Sequence, residues 1–213
     1  GAEYMKNPFD TPERAVFRKT LRDFVEKEIK PNADAWDEAG GIPWQLHQKV
    51  GALGVWGFGI EEQYGGLGMD NCFMRATYNE EFAMCGANGV PAALNGRMIS
   101  IEPIQRLANA DIRLRALPDI VSGRKGSSLG ITEPSGGSDV AGMKTHDRLD
   151  DNSYVINGST TFITGGMTSD FFVIGARTGG DGFAGISLFL WMRPHLGSRA
   201  HLWTAKWAGG VQI

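Results

Sequence analysis

The sequence has few cysteines and no long apolar run. Cys72 and Cys85 are the only cysteines among its 213 residues, and their spacing fits neither a disulfide framework nor a metal-binding motif. No stretch approaches the roughly 18 consecutive apolar residues of a membrane span, and the N-terminal residues lack the apolar region of a signal peptide. We therefore expect reduced thiols, no membrane contact and a cytoplasmic location.

A strong net charge is also absent. Lys and Arg number 21 against 24 Asp and Glu, which gives a formal net charge of −3. This balance gives no electrostatic reason to expect binding to nucleic acid. The four histidines form no ligand pattern such as H-E-x-x-H, so we predict no metal site either.

The sequence does contain a helical half followed by a strand-rich half. Thr11-Pro12-Glu13 is typical of a helix start, with a capping residue and a proline in the first turn. Further helices are predicted from Pro43, over 72–87, over 88–108 with interruptions near Pro91 and Pro103, and from a cap at Asp111. Strands are predicted where β-branched or aromatic runs alternate with glycine turns, over 129–131, 154–156, 160–164, 171–176 and 185–190.

Runs of helices followed by runs of strands indicate separate layers or domains rather than an alternating βαβ sheet. We predict an α+β fold, with an N-terminal all-α helical domain over 8–125 and a partial antiparallel β-barrel-like domain over 126–190. Residues 191–213 contain three tryptophans and two histidines without clear strand alternation, so we expect a divergent or aberrant tail there. Within the helical half, we interpret the acids Glu80 and Glu81 and the base Arg22 as solvated surface.

The segment over 127–142 carries the densest chemistry. The pair Gly136-Gly137 lets backbone N–H groups converge without interference from side chains, and such concavities bind anions, phosphate among them. Thr132 and Ser138 add hydroxyl groups. The segment therefore suits a polar, phosphate-bearing ring cofactor, although a plain Gly/Ser turn between strands explains the same composition.

A second interpretation of this region is a hydrolase that uses Ser128. Residues 126–130 fit the G-x-S-x-G pattern of a nucleophile elbow, which needs a strand before the serine and a helix after it. Pro134 disfavours a helix through Glu133, so this remains a remote alternative.

Three segments together resemble the acyl-CoA dehydrogenase family, over roughly residues 8 to 190. The run L-G-I-T-E-P-S-G-G-S-D-V over 129–140 is similar to its flavin-binding signature. The run over 154–164 is similar to its next landmark, and E-E-Q-Y-G-G-L-G-M-D over 61–70 to an upstream one. The resemblance implies a flavoprotein oxidoreductase of fatty acid metabolism that binds FAD and dehydrogenates an acyl-CoA between its α and β carbons.

The resemblance also implies partners and a missing group. Electrons would pass to an electron-transfer flavoprotein or a similar acceptor, and the full-length parent would be a homo-oligomer, a dimer or a tetramer. The catalytic carboxylate would lie in a second helical domain beyond this chain, so the chain alone is expected to be inactive. Glu133 and Asp139, the carboxylates of the motif itself, are expected to hold backbone.

Particular residues acquire roles by their place in the motifs. The expected cofactor-binding residues are Leu129, Ile131, Thr132, Gly137, Ser138, Phe162, Ile163 and Thr164. Thr164 would hydrogen-bond near the flavin N5, and Phe162 would cover one face of the ring, unless the two are an ordinary strand pair. Ser138 would lie between flavin and acyl-CoA, and Asn95 would lie at the end of the acyl pocket.

Two alternatives to the dehydrogenase stay open. A related acyl-CoA oxidase or nitroalkane oxidase would share the flavin segment, and a non-catalytic fragment or pseudoenzyme would bind at most a flavin. The chain also departs from the family pattern, because Gly165-Gly166 follows Thr164 where a polar residue is usual.

Overall fold

The computed structural model describes residues 9–96, 98–150, 153–193 and 201–206. The chain divides into two compact units. The first comprises residues up to Glu62 together with Gly66–Leu94, and the second comprises Gln63–Gly65 and everything from Asn95 onward. None of the helices in these described ranges combines the length and the apolar character needed to cross a bilayer.

Helices build the first unit. They are α1 (Pro12–Phe24), α2 (Ala33–Glu38), α3 (Trp44–Ala52), α4 (Cys72–Ala83) and most of α5 (Gly89–Asn95). The predicted start of α1 is confirmed, since the Thr11 hydroxyl accepts a hydrogen bond from the Arg14 N–H at 3.2 Å. After α1 the chain continues as a π-helical turn, Val25–Ile29, and then a 3₁₀ turn, Lys30–Asn32, because Pro31 has no N–H to extend the α pattern.

The contact between α1 and α4 corrects one expectation. Glu81 is 2% exposed rather than solvated, and its carboxylate accepts hydrogen bonds from Arg18 and Arg22, each at 2.8 Å. Burial acts to raise the pKa of Glu81, but the bonds and charges of the two guanidinium groups outweigh it and hold that pKa below its ordinary value. Glu80 is exposed, as expected, and pairs with Arg18 at 2.6 Å.

Two helices of the second unit lie before the sheet. They are α6 (Met98–Leu107) and α7 (Ala110–Val121). Pro103 lies inside α6, although an interruption of the helix was predicted near this proline. The cap of α7 is Asn109, whose side chain accepts from the Ile112 N–H at 2.9 Å, and Asp111 lies in the first turn instead of capping it. An asparagine side chain at the N-cap satisfies the same orphan N–H groups that an aspartate would.

Six strands form one open sheet among the described residues. They are β1 (Ser127–Gly130), β2 (His146–Asp150), β3 (Ser153–Asn157), β4 (Phe171–Arg177), β5 (Ile186–Met192) and β6 (His201–Lys206). The strand order is β3-β2-β4-β5-β6, and β1 also pairs with β4. The apolar residues of β4 and β5 are largely buried, and α6 packs on β1 and β4.

The predicted α+β class is confirmed, with three differences in the sheet. Residues 160–164 form no strand, because the Thr161 N–H bonds to the Thr132 carbonyl outside any ladder and Phe162 has a positive φ. The sheet is also not wholly antiparallel, since β1 pairs in parallel with β4. The strands β2 and β6 were not predicted at all, and β6 lies in the range where no clear strand alternation was found.

Two pairings with β4 decide where the motif segment lies. Gly130 pairs with Ile174, and His146 pairs with Arg177 in the same strand, β4. Only Gly175 and Ala176 separate those two partners along β4. The residues over 131–145 therefore leave the sheet as a long loop and return almost to the point of departure.

Candidate functional site

We call the residues over 131–145 the first loop. It is built from two small turns. In one, the N–H groups and carbonyls of Glu133 and Gly136 bond to each other at 3.0 and 3.1 Å. In the other, a carboxylate oxygen of Asp139 accepts from the Gly142 N–H at 3.1 Å, which caps a short 3₁₀ turn. These turns keep residues 134–139 exposed at the tip of the loop.

Glu133 holds the base of the first loop. Its carboxylate accepts from the N–H of Lys144 at 2.9 Å, from the N–H of Thr145 at 2.5 Å and from the Ser135 hydroxyl at 3.2 Å. Burial would raise the pKa of Glu133, but the hydrogen bonds from Thr145, Lys144 and Ser135 together keep it below the ordinary value. Both motif carboxylates thus hold backbone, as predicted.

The residues over 158–170, which we call the second loop, join β3 to β4 and meet the first loop directly. The Thr161 N–H donates to the Thr132 carbonyl at 2.8 Å. At its far end, the hydroxyl of Ser128 in β1 donates to the Thr164 carbonyl at 2.7 Å and lies 2.7 Å from the Ser169 hydroxyl. The structure therefore brings together the two motifs that are separated in the sequence.

Ser128 does not have the surroundings of a nucleophile elbow. It lies inside β1 and is completely buried, whereas an elbow serine lies on an exposed strand-to-helix turn. Its hydroxyl is engaged with the second loop. The hydrolase interpretation therefore loses the local structure that it requires.

The glycines after Thr164 have a local structural reason. Gly165 has a φ of +75°, and a Cβ there would lie 3.2 Å from the hydroxyl oxygens of both Ser128 and Ser169. A side chain at this position would be strained by backbone conformation and by crowding. Arg193 then fixes the turn by donating to the Gly166 carbonyl at 2.8 Å and to the Met167 carbonyl at 3.1 Å.

Phe162 is the most unusual side chain of the second loop. It is 90% exposed, and with a φ of +56° it is the one non-glycine residue of the described ranges in the left-handed region. An aromatic residue there costs on the order of 1–3 kcal/mol. An exposed apolar ring on a strained backbone contributes little to folding, which is typical of a ring that serves a ligand.

Several polar groups of the two loops are available to a ligand. Within the described part of the chain, the hydroxyls of Thr132, Ser138 and Thr164 make no hydrogen bond to protein. A Cβ on Gly137 would lie 3.2 Å from the Thr132 methyl group, so the glycine keeps the backbone close to that side chain. Hydroxyls from two loops beside an exposed aromatic ring suit a planar ligand with a polar edge.

The remaining predicted residues have mixed positions. Leu129 is half-buried in β1, opposite Val173. The Ile131 side chain lies over Gly175, where an added Cβ would be 2.8 Å from its Cδ1, so Ile131 also packs on the sheet. Ile163 is half-buried and its carbonyl accepts from Gly166. Flavin contacts for these three stay predictions.

Asn95 lies elsewhere on the chain, as the last residue of α5. Its place in an acyl pocket stays a prediction. Three residues that hold the loops were not predicted: Ser169, Arg177 and Arg193. They bind backbone or hydroxyl groups far away in the sequence, and no local pattern marks such contacts. Over the described ranges, no group of three potential ligands could hold a metal ion.

Two family models match the chain. The model described as acyl-CoA dehydrogenase, N-terminal domain, matches residues 11–124, and that described as acyl-CoA dehydrogenase, middle domain, matches residues 128–209. The second match continues past Leu190, where the resemblance of the sequence was expected to end. The description of 191–213 as a divergent tail stays a prediction, and 194–200 and 207–213 lie outside the described residues.

Individual relatives agree with the family models. An acyl-CoA dehydrogenase of Bacillus subtilis is 33% identical over 181 residues, which is 84% of this chain and 48% of that protein. A probable acyl-CoA dehydrogenase of Mycobacterium abscessus has a similar structure, with a TM-score of 0.79, 37% identity and coverage of 84% of this chain and 48% of the other.

A glutaryl-CoA dehydrogenase of Mycobacterium smegmatis, solved in complex with FADH2, matches with a TM-score of 0.75 and 29% identity over 85% of this chain and 45% of its own. The chain thus spans about half the length of the relatives that it matches.

Proposed function

Since the chain belongs to the acyl-CoA dehydrogenase family, we propose that its two loops bind FAD for the α,β-dehydrogenation of an acyl-CoA thioester. The observation that carries this proposal is the junction of the two motifs, where Thr161 donates to the Thr132 carbonyl beside three hydroxyls free to bind a ligand. The exposed ring of Phe162, on a strained backbone, supports it. The relative solved with FADH2 supports the choice of flavin.

The proposed roles follow from the positions of the side chains. Thr132 and Thr164 hydrogen-bond the polar edge of the isoalloxazine, and Phe162 covers one of its faces. Ser138, on the exposed tip of the first loop, lies on the substrate side. Asn95 contributes to the acyl pocket.

When bound, FAD supplies the acceptor for the hydride that leaves the β carbon. The residues of this chain bind and orient the flavin and keep its polar edge hydrogen-bonded. They do not supply the base for the α proton, since Glu133 and Asp139 are both engaged with backbone and a base must reach the proton that it removes. The family's carboxylate is expected outside this chain.

A non-catalytic flavin-binding role is the second candidate, favoured by this engagement of both carboxylates. The test mixes the purified chain with FAD, an artificial electron acceptor and a panel of short, medium, long and branched acyl-CoA substrates. Turnover is measured through bleaching of the flavin. We expect no turnover from the chain alone. Turnover that Glu133→Gln or Asp139→Asn abolishes would place the base in the first loop and contradict this assignment.

We further propose an electron-transfer flavoprotein or a similar acceptor as the redox partner, and a homo-oligomer as the state of the full-length parent. An acyl-CoA oxidase would differ by reducing oxygen. Hydrogen peroxide formed by a full-length version during turnover would favour the oxidase, and reduction of the flavoprotein without peroxide would favour the dehydrogenase.

The substitution Thr132→Val tests flavin binding. It keeps the shape of the side chain and removes one hydroxyl, so it should weaken FAD binding by roughly fivefold or more, because one hydrogen bond contributes ~1 kcal/mol. Titration of FAD fluorescence measures the change. Thr20→Val is the matched control, since Thr20 lies in α1 and its hydroxyl bonds only to the Val16 carbonyl. Equal FAD affinity of the Thr132→Val variant and the wild type would refute the contact.

A further inference from the structure

The returning segment of the first loop, residues 141–145, is held between two side chains of opposite charge. On one side, the N–H groups of Lys144 and Thr145 donate to the two carboxylate oxygens of Glu133. On the other side, the carbonyls of the segment accept from Arg177, the last residue of β4. Residues 143–145 belong to no strand, so side chains rather than a neighbouring strand satisfy these backbone groups.

Arg177 makes an unusually complete set of backbone contacts. Its guanidinium donates to the carbonyls of Ala141 at 2.5 Å and Met143 at 3.1 Å. The same group donates to the carbonyls of Gly180 at 2.6 Å and Gly182 at 3.2 Å, in the connection from β4 to β5. The rigid, many-donor geometry of a guanidinium makes this possible, and a lysine ammonium could not reproduce it.

The backbone of Arg177 adds a further bond, from its N–H to the Thr145 carbonyl at 2.8 Å. The backbone at Gly185 also lies close to the Arg177 guanidinium. A Cβ on Gly185 would lie 1.8 Å from the Gly180 carbonyl oxygen and 2.9 Å from Nη1 of Arg177, so a larger residue there would displace a carbonyl that Arg177 binds and would crowd the guanidinium. The contacts at Gly180, Gly182 and Gly185 thus fix the side chain from which the first loop is held.

We propose that Glu133 and Arg177 are a pair of positioning residues that preform the first loop before any ligand binds. They act where the loop has left the sheet, next to the backbone bond from the Arg177 N–H to the Thr145 carbonyl. Neither side chain needs to touch the ligand, because both act on the backbone that carries Thr132, Gly137 and Ser138. A loop already ordered in the free protein avoids the entropy cost of ordering on binding.

The consequence for the ligand rests on the proposed function, since it treats the first loop as a flavin site. The structural claim does not depend on it. Both residues keep the loop in one conformation whether or not the ligand is FAD, and the two statements can be tested separately.

Amide hydrogen exchange in the free chain, read by NMR, tests the structural claim. The informative amides are those of Lys144 and Thr145, which lie between the two side chains. Glu133→Gln removes the charge of their acceptor, and Arg177→Met releases the segment from its other side. We expect both variants to accelerate exchange at these two amides by on the order of tenfold or more, because each loses charge-assisted bonds. Arg177→Lys should give a smaller acceleration.

Two control variants define the specificity of the effect. Lys144→Ala removes an exposed side chain and keeps the backbone N–H that donates to Glu133, so exchange at Lys144 and Thr145 should stay within about twofold of wild type. Arg193→Met removes an arginine that holds the other loop at Gly166 and Met167. It should accelerate exchange at Thr168 and Ser169 and leave the first loop unchanged.

The claim is overturned if Glu133→Gln and Arg177→Met leave exchange at Lys144 and Thr145 unchanged. It is also overturned if Arg177→Lys and Arg177→Met accelerate all sheet amides equally, because the arginine would then support the whole unit rather than the loop. FAD titration of the same variants tests the consequence, with affinity expected to fall by on the order of tenfold in Arg177→Met.

The two failures are distinguishable. If the wild-type chain shows no saturable FAD binding, the proposed function fails, while the exchange data still decide whether the pair holds the loop. If the loop loosens in Arg177→Met and FAD affinity is unchanged, preorganisation of a flavin site is refuted although the structural role stands.

Discussion

At the scale of single residues, the candidate site contains groups that do not stabilise the fold. Phe162 has a left-handed backbone and an exposed ring, and the hydroxyls of Thr132 and Thr164 find no protein partner within the described ranges. Glu133 shows the opposite, because its buried carboxylate accepts from two backbone N–H groups and from the Ser135 hydroxyl. Side chains with unused capacity are therefore available to a ligand, and the satisfied carboxylate is not.

The strain at Phe162 leads to a prediction about two variants. Phe162→Ala and Phe162→Gly both remove the ring, but only glycine is comfortable at a φ of +56°. We expect the glycine variant to be more stable than the alanine variant by roughly 1 kcal/mol, measured by chemical denaturation. Both should bind FAD more weakly than wild type. Greater stability of the alanine variant would show that the backbone at this position is not strained.

At the scale of elements, the first unit depends on a charged contact as well as on apolar packing. Glu81 on α4 is buried against Arg18 and Arg22 on α1. Removing one partner from a buried charged contact costs more than the contact itself contributes, because the remaining groups lose their bonds. The two arginines are partly exposed and can be hydrated, which limits that cost.

The neighbouring acids provide a matched test of this contact. Glu81→Gln should destabilise the chain by about 1–3 kcal/mol, whereas Glu80→Gln, at an exposed position, should cost no more than ~1 kcal/mol. The pKa of Glu81 lies below its ordinary value of 4.5 in the folded chain. Its contribution is therefore complete well above pH 4.5 and is lost as the pH falls through the lower, folded value.

Unfolding free energies of the wild type and both variants, measured from pH 7 downward, check this sign. The difference between wild type and Glu81→Gln should hold until about pH 5 and then shrink. A difference that grows as the pH falls, or equal effects of the two substitutions, would contradict the proposed contact.

At the scale of the whole molecule, local signals found the elements and missed the long-range contacts. Thr11 predicted the start of α1 because an N-cap depends only on neighbouring residues. The apolar runs of β4 and β5 could likewise be recognised from local sequence. The strand His146–Asp150 was missed because its charged sequence has no strand signature. Residues 160–164 resembled a strand in composition, yet their backbone bonds to the first loop.

The candidate site was likewise predictable in its local features and not in its long-range contacts. The two motifs could be recognised from their residues, and the engagement of Glu133 and Asp139 with backbone could be expected from their turns. The parallel register of β1 on β4 and the reach of Arg177 and Arg193 to distant carbonyls could not. Both depend on which residues the fold brings together, and no short stretch of sequence carries that information.

The central claim is that one flavin site is formed by two loops far apart in the sequence. The most direct test is NMR chemical-shift mapping of the isotope-labelled chain during titration with FAD. We expect saturable shifts that cluster on both loops, at Thr132–Ser138 and Phe162–Thr164, with the sheet amides of β5 unaffected. Shifts confined to one loop, shifts that cluster elsewhere, or no saturable shifts at all would contradict the account.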